Sequence, residues 1–219
     1  LRAYSSKEIA KLMKVSSVIA ESTLQKYQAW GSVKQAGVYA YRGDVYKGFY
    51  ADTLTKDDLI WANSHVMILS GLYGVLRLAD EVSAYRLEMN LKVPVDGAKN
   101  LYGFWGDKLA QFVEQQADGI VCVLSSKEYA RPVTGHITQS LVVTPVFMDK
   151  KPNGTVGAVP IYSKMMRGVM ARWIIDNRVD TIEGLNDFSG HGYSYDSERS
   201  TKFSPVFSRK TVAPLQFAK

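Results

Sequence analysis

The side chains best suited to chemistry follow a short apolar run, VMIL at residues 66–69, which predicts a buried strand. Gly71 and Gly74 then predict a tight turn or a close approach of the backbone to another segment. A set of polar residues in and after this turn, together with two residues of an earlier Gly-Asp turn, forms a candidate ligand site that we call the polar cluster: Asp44, Tyr46, Ser70, Tyr73, Arg77, Tyr85, Arg86 and Glu88. Because isolated charges are costly to bury, Arg86 and Glu88 should pair with each other or face a ligand.

Carboxylates beside arginines are suited to acid–base work on a nucleotide or a phosphorylated substrate. The alternative interpretation of the polar cluster is structural, with Asp44 in a turn and with Arg86 and Glu88 as a buried pair. No nucleophile–base pairing can be recognised in the sequence, so we assign no catalytic residue. The sequence lacks the usual phosphate-loop, dinucleotide and nucleophile-elbow motifs, and its three histidines and one cysteine lack metal-ligand spacing. We therefore predict no cofactor and no metal site.

Charge favours a polyanionic partner, because Lys and Arg outnumber Asp and Glu by 27 to 21, for a net charge of +6. The clearest basic cluster lies on a helix predicted over residues 163–178, with Ser163 as its N-cap. Four cations share the side opposite the apolar arc of this helix: Lys164, Arg167, Arg172 and Arg178. Gly168 lies among them and would let a phosphate backbone approach. We expect Arg167→Glu with Arg172→Glu to weaken DNA binding without disturbing the fold. The alternative is an amphipathic helix with an incidentally basic outer face.

Residues 5–30 predict two short helices joined by a tight turn. Ser5 and Glu8 form a capping box for the first helix, and the second helix begins at the serine pair 16–17 and ends near Trp30. Ile19, Leu24 and Tyr27 should point inward from the second helix. The pair resembles a helix-hairpin-helix, an element that holds a nucleic-acid backbone without reading its sequence. The start of the second helix supplies free N–H groups for a phosphate, assisted by four side chains: Lys11, Lys14, Ser16 and Ser17. The alternative is a helical pair that only packs on the core.

The rest of the chain mixes helices and strands. We predict strands at residues 37–41, 120–124, 141–147 and 156–162, a turn at 43–48, and helices opened by Thr55 and over 106–116. The segment KKPNG at 150–154 predicts a hairpin turn, and the tail beyond residue 190 predicts a partly irregular closing hairpin. Cys122 is expected to be a small hydrophobic residue of a buried strand. No apolar run is long enough to span a bilayer. This interleaving predicts a mixed α/β (α+β) single domain over residues 1–219.

Five motifs together resemble the YaaA family of bacterial peroxide-stress proteins: GDVYKG (43–48), LSGLYGVLR (69–77), YRLEM (85–89), LYGFWG (101–106) and SKMMRG (163–168). The segments SKEY (126–129) and TPVF (144–147) are further anchors in the same order. This resemblance implies a mixed single-domain fold with a cleft, and a DNA-binding activity. It also implies that a segment with an SPAK signature precedes Leu1. Leu78 stands where the family has a proline, which alters the local turn.

From the residues and the resemblance we expect a cytoplasmic DNA-binding protein of the peroxide-stress response. It would bind duplex or branched DNA through backbone and shape, independently of sequence, with no cofactor, membrane or protein partner. Two alternatives stay open at this point. One is an enzyme that acts on a nucleotide or phosphorylated substrate through the polar cluster. The other is a protein that lowers available iron, a role that comes from the resemblance only, since no iron ligands can be identified in the sequence.

Overall fold

The computed structural model describes residues 1–210 and 214–215. The α-helices are α1 (Ser6–Met13), α2 (Ser17–Gln28), α3 (Gly37–Ala40), α4 (Asp44–Phe49), α5 (Lys56–His65), α6 (Leu101–Trp105), α7 (Lys108–Gln116), α8 (Lys127–Thr134) and α9 (Pro160–Asn177). Short 3-10 turns follow α4 and α9, at Ala51–Thr53 and Glu183–Asp187. None of the described helices is both long and apolar enough to cross a membrane.

The strands are short, and the last three follow α9. They are β1 (Lys34–Ala36), β2 (Met67–Ser70), β3 (Gly74–Arg77), β4 (Glu81–Ser83), β5 (Ile120–Cys122), β6 (Leu141–Val143), β7 (Val146–Lys150), β8 (Val156–Gly157), β9 (Ser189–Gly190), β10 (Tyr193–Tyr195) and β11 (Val206–Arg209). This mixture confirms the predicted mixed α/β class. The described part of the tail contains the antiparallel pair of β10 and β11, while residues 211–213 and 216–219 of the predicted hairpin region lie outside the described residues.

The chain forms two compact units, each assembled from segments that are distant in sequence. The first unit contains Leu1–Ala40, Val66–Val113 and Lys127–His136. The second contains Tyr41–His65, Glu114–Ser126 and the described residues from Ile137 onward. Asp44 and Tyr46 belong to the second unit, and the other residues named in the polar cluster belong to the first.

In the first unit, β2 and β3 form the predicted strand and glycine turn. The two strands are antiparallel, with Ser70 opposite Gly74. A Cβ on Gly71 would lie 2.6 Å from the Leu87 carbonyl oxygen, and Gly74 has φ +77° with the Trp105 ring 2.8 Å from its Cβ position. At position 74, only glycine can adopt the left-handed backbone and also leave room for the neighbouring ring. The predicted close approach of the backbone is thus confirmed.

The two N-terminal helices form with the predicted caps. Ser5 and Glu8 make the capping box of α1, and the Ser16 hydroxyl accepts from the Ile19 N–H at the start of α2. The predicted inward position of Ile19 is wrong, since this side chain is 40% exposed. The inward position of Tyr27 is confirmed, and Leu24 is only partly buried. The rest of the inward face is formed by Ala20 and Thr23.

The second unit is built on a sheet with strand order β8-β7-β11-β10-β9. β7 and β11 are parallel, and the remaining pairs are antiparallel. Aromatic and methionine side chains from this sheet, from α9 and from the segment before β9 form one buried core: Phe147, Met166, Met170, Phe188, Tyr193 and Phe207. The predicted hairpin is confirmed, because Lys150 pairs with Val156 across the KKPNG turn. β5 and β6 form a separate parallel pair.

Helices α4 and α9 of this unit contact each other through glycine. A Cβ on Gly168 would lie 1.8 Å from the Val45 carbonyl oxygen, and one on Gly48 would lie 2.1 Å from the Met165 carbonyl oxygen. The two backbones therefore touch where neither helix has a side chain. Residues 43–48, predicted as a turn, form α4 with Gly43 as its N-cap, so that prediction is wrong.

Other boundaries also differ from prediction. Residues 37–41 were predicted as a strand, but β1 ends at Ala36 and the short helix α3 follows. The strand predicted over 156–162 ends at Gly157, because Pro160 occupies the first turn of α9, where its fixed φ suits a helix start. Ser163 is consequently not the N-cap, and its hydroxyl donates to the Phe147 carbonyl oxygen at 3.3 Å. The run 141–147 is divided into β6 and β7.

Candidate functional site

The connection between α1 and α2 brings together the residues predicted to contact a nucleic-acid backbone. Lys14 is left-handed, with φ +52°, and its N–H bonds the Ala10 carbonyl oxygen, which ends α1. Two residues later the Ser16 hydroxyl begins α2. The first N–H groups of α2 have no acceptor within the helix, and they mark its positive end. All four predicted side chains are exposed around this connection: Lys11, Lys14, Ser16 and Ser17.

The four basic residues of α9 differ in exposure and in their contacts with the rest of the chain. Lys164 is exposed, whereas Arg167 is partly buried, and desolvation lowers the pKa of its guanidinium. Gly168 is buried against α4 and does not leave room for a phosphate. Its small size is therefore explained by helix packing.

Arg172 is bound to its own chain. Its Nε donates to Asp176 at 2.7 Å, and its Nη1 donates to the Tyr50 carbonyl oxygen at 3.1 Å and to the Thr53 hydroxyl. These contacts satisfy polar groups at the end of α4 and in the following turn. Arg172→Glu would reverse the charge at these contacts. We therefore no longer expect this substitution to leave the fold undisturbed.

Arg178 also contacts its own chain. It is the left-handed C-cap of α9, and its Nη2 donates to Asp58 at 2.8 Å. The guanidinium lies over the Trp61 ring, 5.1 Å from the centroid. Asp58 in turn accepts from the hydroxyl and N–H of Thr55, the residue predicted from the sequence to open α5. Arg178 thus links the end of α9 to the start of α5.

The Asp58 carboxylate gives an expected pH dependence. Hydrogen bonds from Thr55, with a smaller contribution from Arg178, lower its pKa to about 2. The unfolded chain should titrate near the ordinary value of about 3.9. Because the folded pKa is the lower one, the stabilisation is complete above about pH 4 and is lost as the pH falls towards 2. We expect Asp58→Asn to be less stable than the parent near neutral pH and the difference to shrink across this interval. Urea unfolding of both proteins at matched pH measures this difference in the free energy of unfolding. A difference that does not change with pH would contradict the proposed role of the Asp58 carboxylate.

In the first unit, Ser70 connects the turn to Tyr85. Its side chain is fully buried, and Oγ accepts from the N–H groups of Leu72 at 3.1 Å and Tyr73 at 2.9 Å. Oγ also lies 2.5 Å from the Tyr85 hydroxyl. Since a serine oxygen has two acceptor lone pairs and one proton, Ser70 is the donor to Tyr85. This arrangement fixes the turn between β2 and β3.

Four aromatic rings contact one another in sequence, and we call them the aromatic column: Tyr85, Tyr73, Trp30 and Tyr27. Tyr73 meets Tyr85 edge-on at 5.5 Å between centroids, and it stacks on Trp30 at 5.6 Å. Trp30 stacks in turn on Tyr27 at 6.4 Å. The Tyr73 hydroxyl accepts from the Ser83 N–H at 2.9 Å, so this ring is held at both ends. The column joins the end of α2 to the polar cluster.

Arg86 and Glu88 form the predicted pair. Arg86 Nη2 lies 2.5 Å from Glu88 Oε1, and the side chains are 41% and 32% exposed. The Tyr27 hydroxyl donates to the Arg86 carbonyl oxygen at 2.7 Å. Burial raises the pKa of Tyr27 above its ordinary value, and the negative charge of Glu88 raises it further. Tyr27 is therefore neutral and serves as a hydrogen-bond donor at neutral pH.

The other members of the polar cluster have separate surroundings. Asp44 lies in the first turn of α4 and pairs with Lys47 at 3.5 Å. Tyr46 stacks on Tyr41, with 5.6 Å between centroids. Arg77 ends β3, where its N–H donates to Asp80 at 2.8 Å. The structure thus joins Ser70, Tyr73 and Tyr85 directly, with Arg86 and Glu88 linked to them through the aromatic column.

A buried ion pair in the second unit was missed by the sequence reasoning. Arg209 Nε lies 2.5 Å from Asp149 Oδ1, and the two side chains are 4% and 0% exposed. Tyr193 donates to the same carboxylate oxygen at 2.9 Å, and the guanidinium lies near the Tyr162 and Tyr193 rings, at 4.7 and 4.8 Å from their centroids. The sequence signal is weak: each residue follows a Val-Phe-x run, VFM at 146–148 and VFS at 206–208.

Cys122 lies in a strand as predicted, but the residue is only partly buried. It is a free cysteine in β5, and burial raises the pKa of its thiol to about 12. A thiol with a raised pKa carries little thiolate at neutral pH, so it reacts slowly with oxidants. Across residues 1–210 and 214–215, no group of three or more His, Cys, Asp or Glu side chains is arranged to hold a metal ion.

Comparison with known proteins places this chain among bacterial relatives. The sequence profile of a family described as "Peroxide stress protein YaaA" matches residues 1–199. A UPF0246 protein of Shewanella woodyi is 42% identical over 213 residues, which is 93% of this chain and 82% of the relative. A UPF0246 protein of Paraburkholderia phytofirmans is 39% identical over 224 residues, 97% of this chain and 85% of the relative. A UPF0246 protein of Shewanella loihica is 43% identical over 216 residues, which is 94% of this chain and 83% of the relative.

Proposed function

From the premise that this chain belongs to the family of the peroxide stress protein YaaA, we propose that it binds DNA through the phosphate backbone and thereby contributes to peroxide resistance. The observation that carries the proposal is the connection between α1 and α2. It exposes the positive end of a helix of 12 residues together with two lysines and two serine hydroxyls. A helical pair of this kind resembles a helix-hairpin-helix.

Backbone binding of this kind does not depend on base sequence. Contacts from lysine, serine hydroxyls and helix N–H groups go to phosphate oxygens, which are the same at every step of the duplex. The net charge of +6 adds a long-range attraction to any polyanion. The proposed partner is duplex or branched DNA, without a metal or cofactor.

The first test removes the two lysines of the connection. We expect Lys11→Gln with Lys14→Gln to weaken binding to all DNA structures alike and to reduce the dependence of log affinity on log salt by about 0.9 for each phosphate that the variant no longer neutralises. Fluorescence anisotropy with duplex, single-stranded and branched DNA at several salt concentrations measures both effects. Lys92→Gln with Lys99→Gln makes the same charge change at two other exposed lysines of the first unit. If both double variants weaken affinity equally, only net charge matters and the connection does not touch DNA.

On α9, Lys164 and Arg167 are the residues we propose as a second backbone contact. Arg172 and Arg178 should contribute less, because their guanidinium groups already bond to the protein. We expect Lys164→Gln with Arg167→Gln to lower affinity and salt slope, whereas Arg178→Gln should change affinity little. The fluorescence-anisotropy titration described above measures the affinity and salt slope of both variants. A larger decrease in affinity from Arg178→Gln than from the double variant, at equal thermal stability, would contradict this assignment.

A further inference from the structure

The ion pair of Arg86 and Glu88 leaves one donor and one acceptor unused. Nε of Arg86 and Oε2 of Glu88 are buried, and neither has a hydrogen-bond partner among the described residues. The pair uses only Nη2 and Oε1 for its own contact. Buried polar atoms in native proteins almost always have a partner, so two orphaned atoms on one pair call for an explanation.

Access to solvent distinguishes this pair from the buried pair of Asp149 and Arg209. Asp149 and Arg209 also leave one atom each without a partner, but their side chains are 0% and 4% exposed, so no solute can reach them. Arg86 and Glu88 are 41% and 32% exposed. A ligand can therefore approach the first pair from solvent, and a small rotation of either side chain would present the unused atom to it.

The unused atoms define the chemistry of such a ligand. It must offer an acceptor to the guanidinium and, beside it, an N–H to the carboxylate. The edges of nucleobases present acceptors and donors in this way, and arginine and glutamate are among the side chains that bind them. The neighbouring aromatic column is tied to the pair through the Tyr27 hydroxyl, which donates to the Arg86 carbonyl oxygen. Aromatic side chains are the groups on which unstacked bases rest in proteins that bind single strands.

We propose that Arg86 and Glu88 form a binding site for a single unstacked nucleobase, with Arg86 Nε as the donor to the base and Glu88 Oε2 as the acceptor of its N–H. The base can come from two sources. One is a free nucleotide, and the other is an unpaired base of bound DNA, which rests on the proposed function above.

The free-nucleotide arm uses the full chain and the four ribonucleoside monophosphates, followed by isothermal titration calorimetry. Ribose 5-phosphate is the control ligand, since it has the sugar and phosphate but no base. Saturable binding of a monophosphate, no binding of ribose 5-phosphate, and about tenfold weaker binding by Glu88→Gln would support the proposal. Glu81→Gln is the matched control, because this exposed glutamate pairs with Lys34 in the same unit, and it should bind like the parent.

The DNA arm uses duplexes with one 2-aminopurine in an unpaired position, a base whose emission depends on stacking. Glu88→Gln should alter the emission change on binding while leaving the anisotropy-based affinity for fully paired duplex unchanged. If no DNA binds but a monophosphate does, the proposed function fails and this site stands. The proposed base site is overturned if DNA binds, no monophosphate binds, and the emission change is the same in the parent, Glu88→Gln and Arg86→Lys. The ion pair then only stabilises the fold.

Discussion

Arg209→Met is expected to lower the free energy of unfolding by about 3–5 kcal/mol. The substitution leaves the Asp149 carboxylate fully buried, with Tyr193 as its remaining donor. Removing one member of a buried ion pair is costly because the other charge stays in a medium that solvates it poorly. Urea unfolding of the variant and the parent at neutral pH measures the decrease.

The double variant Arg209→Met with Asp149→Leu separates the charge from the packing. With both charges removed, we expect most of the stability to return, since apolar replacements of a buried pair are often neutral or stabilising. Lys210→Met is the control for the substitution itself, because this neighbouring lysine is exposed. A decrease below about 1 kcal/mol in Arg209→Met would indicate that Asp149 acquires another partner or a proton without the arginine.

Local signals in the sequence correctly predicted the caps at Ser5 and Thr55 and the glycine turn, because each depends on residues a few positions apart. Ser5 with Glu8, and Thr55 with Asp58, form caps whose partners are three residues away. The pairing of Arg86 with Glu88 could also be predicted, since two opposite charges beside apolar sequence have few ways to be buried. These predictions needed no knowledge of which distant segments meet.

The failures on α9 and in the sheet of the second unit depend on long-range contacts. Gly168 was interpreted as room for a phosphate, but its neighbour is Val45, more than a hundred positions earlier in the chain. Arg172 resembled a surface cation because helical periodicity cannot reveal that Tyr50 and Thr53 supply its acceptors. The parallel register that places Asp149 beside Arg209 is likewise invisible in two short apolar runs. Charge counting therefore overestimated the basic surface of α9.

Gly168→Ala is expected to destabilise the protein by about 3 kcal/mol or more. The added Cβ would lie 1.8 Å from the Val45 carbonyl oxygen and 2.7 Å from the Phe49 backbone nitrogen. Both neighbours are backbone atoms of α4, so a rotamer change cannot relieve the overlap and the two helices must separate. The gain in helix propensity from glycine to alanine is only about 1 kcal/mol and cannot offset this cost. Thermal and urea unfolding measure the net effect.

Gly103→Ala is the matched control for this substitution. Gly103 lies in α6 and is exposed, and its Cβ would meet the Ala98 Cβ at 3.5 Å, an ordinary contact. Here the helix-propensity gain should act alone, so the variant should be as stable as the parent or slightly more stable. Equal stability of Gly168→Ala and the parent would mean that α4 and α9 do not touch through their backbones, and the role of Gly168 as an opening for a phosphate would then need a direct DNA-binding test.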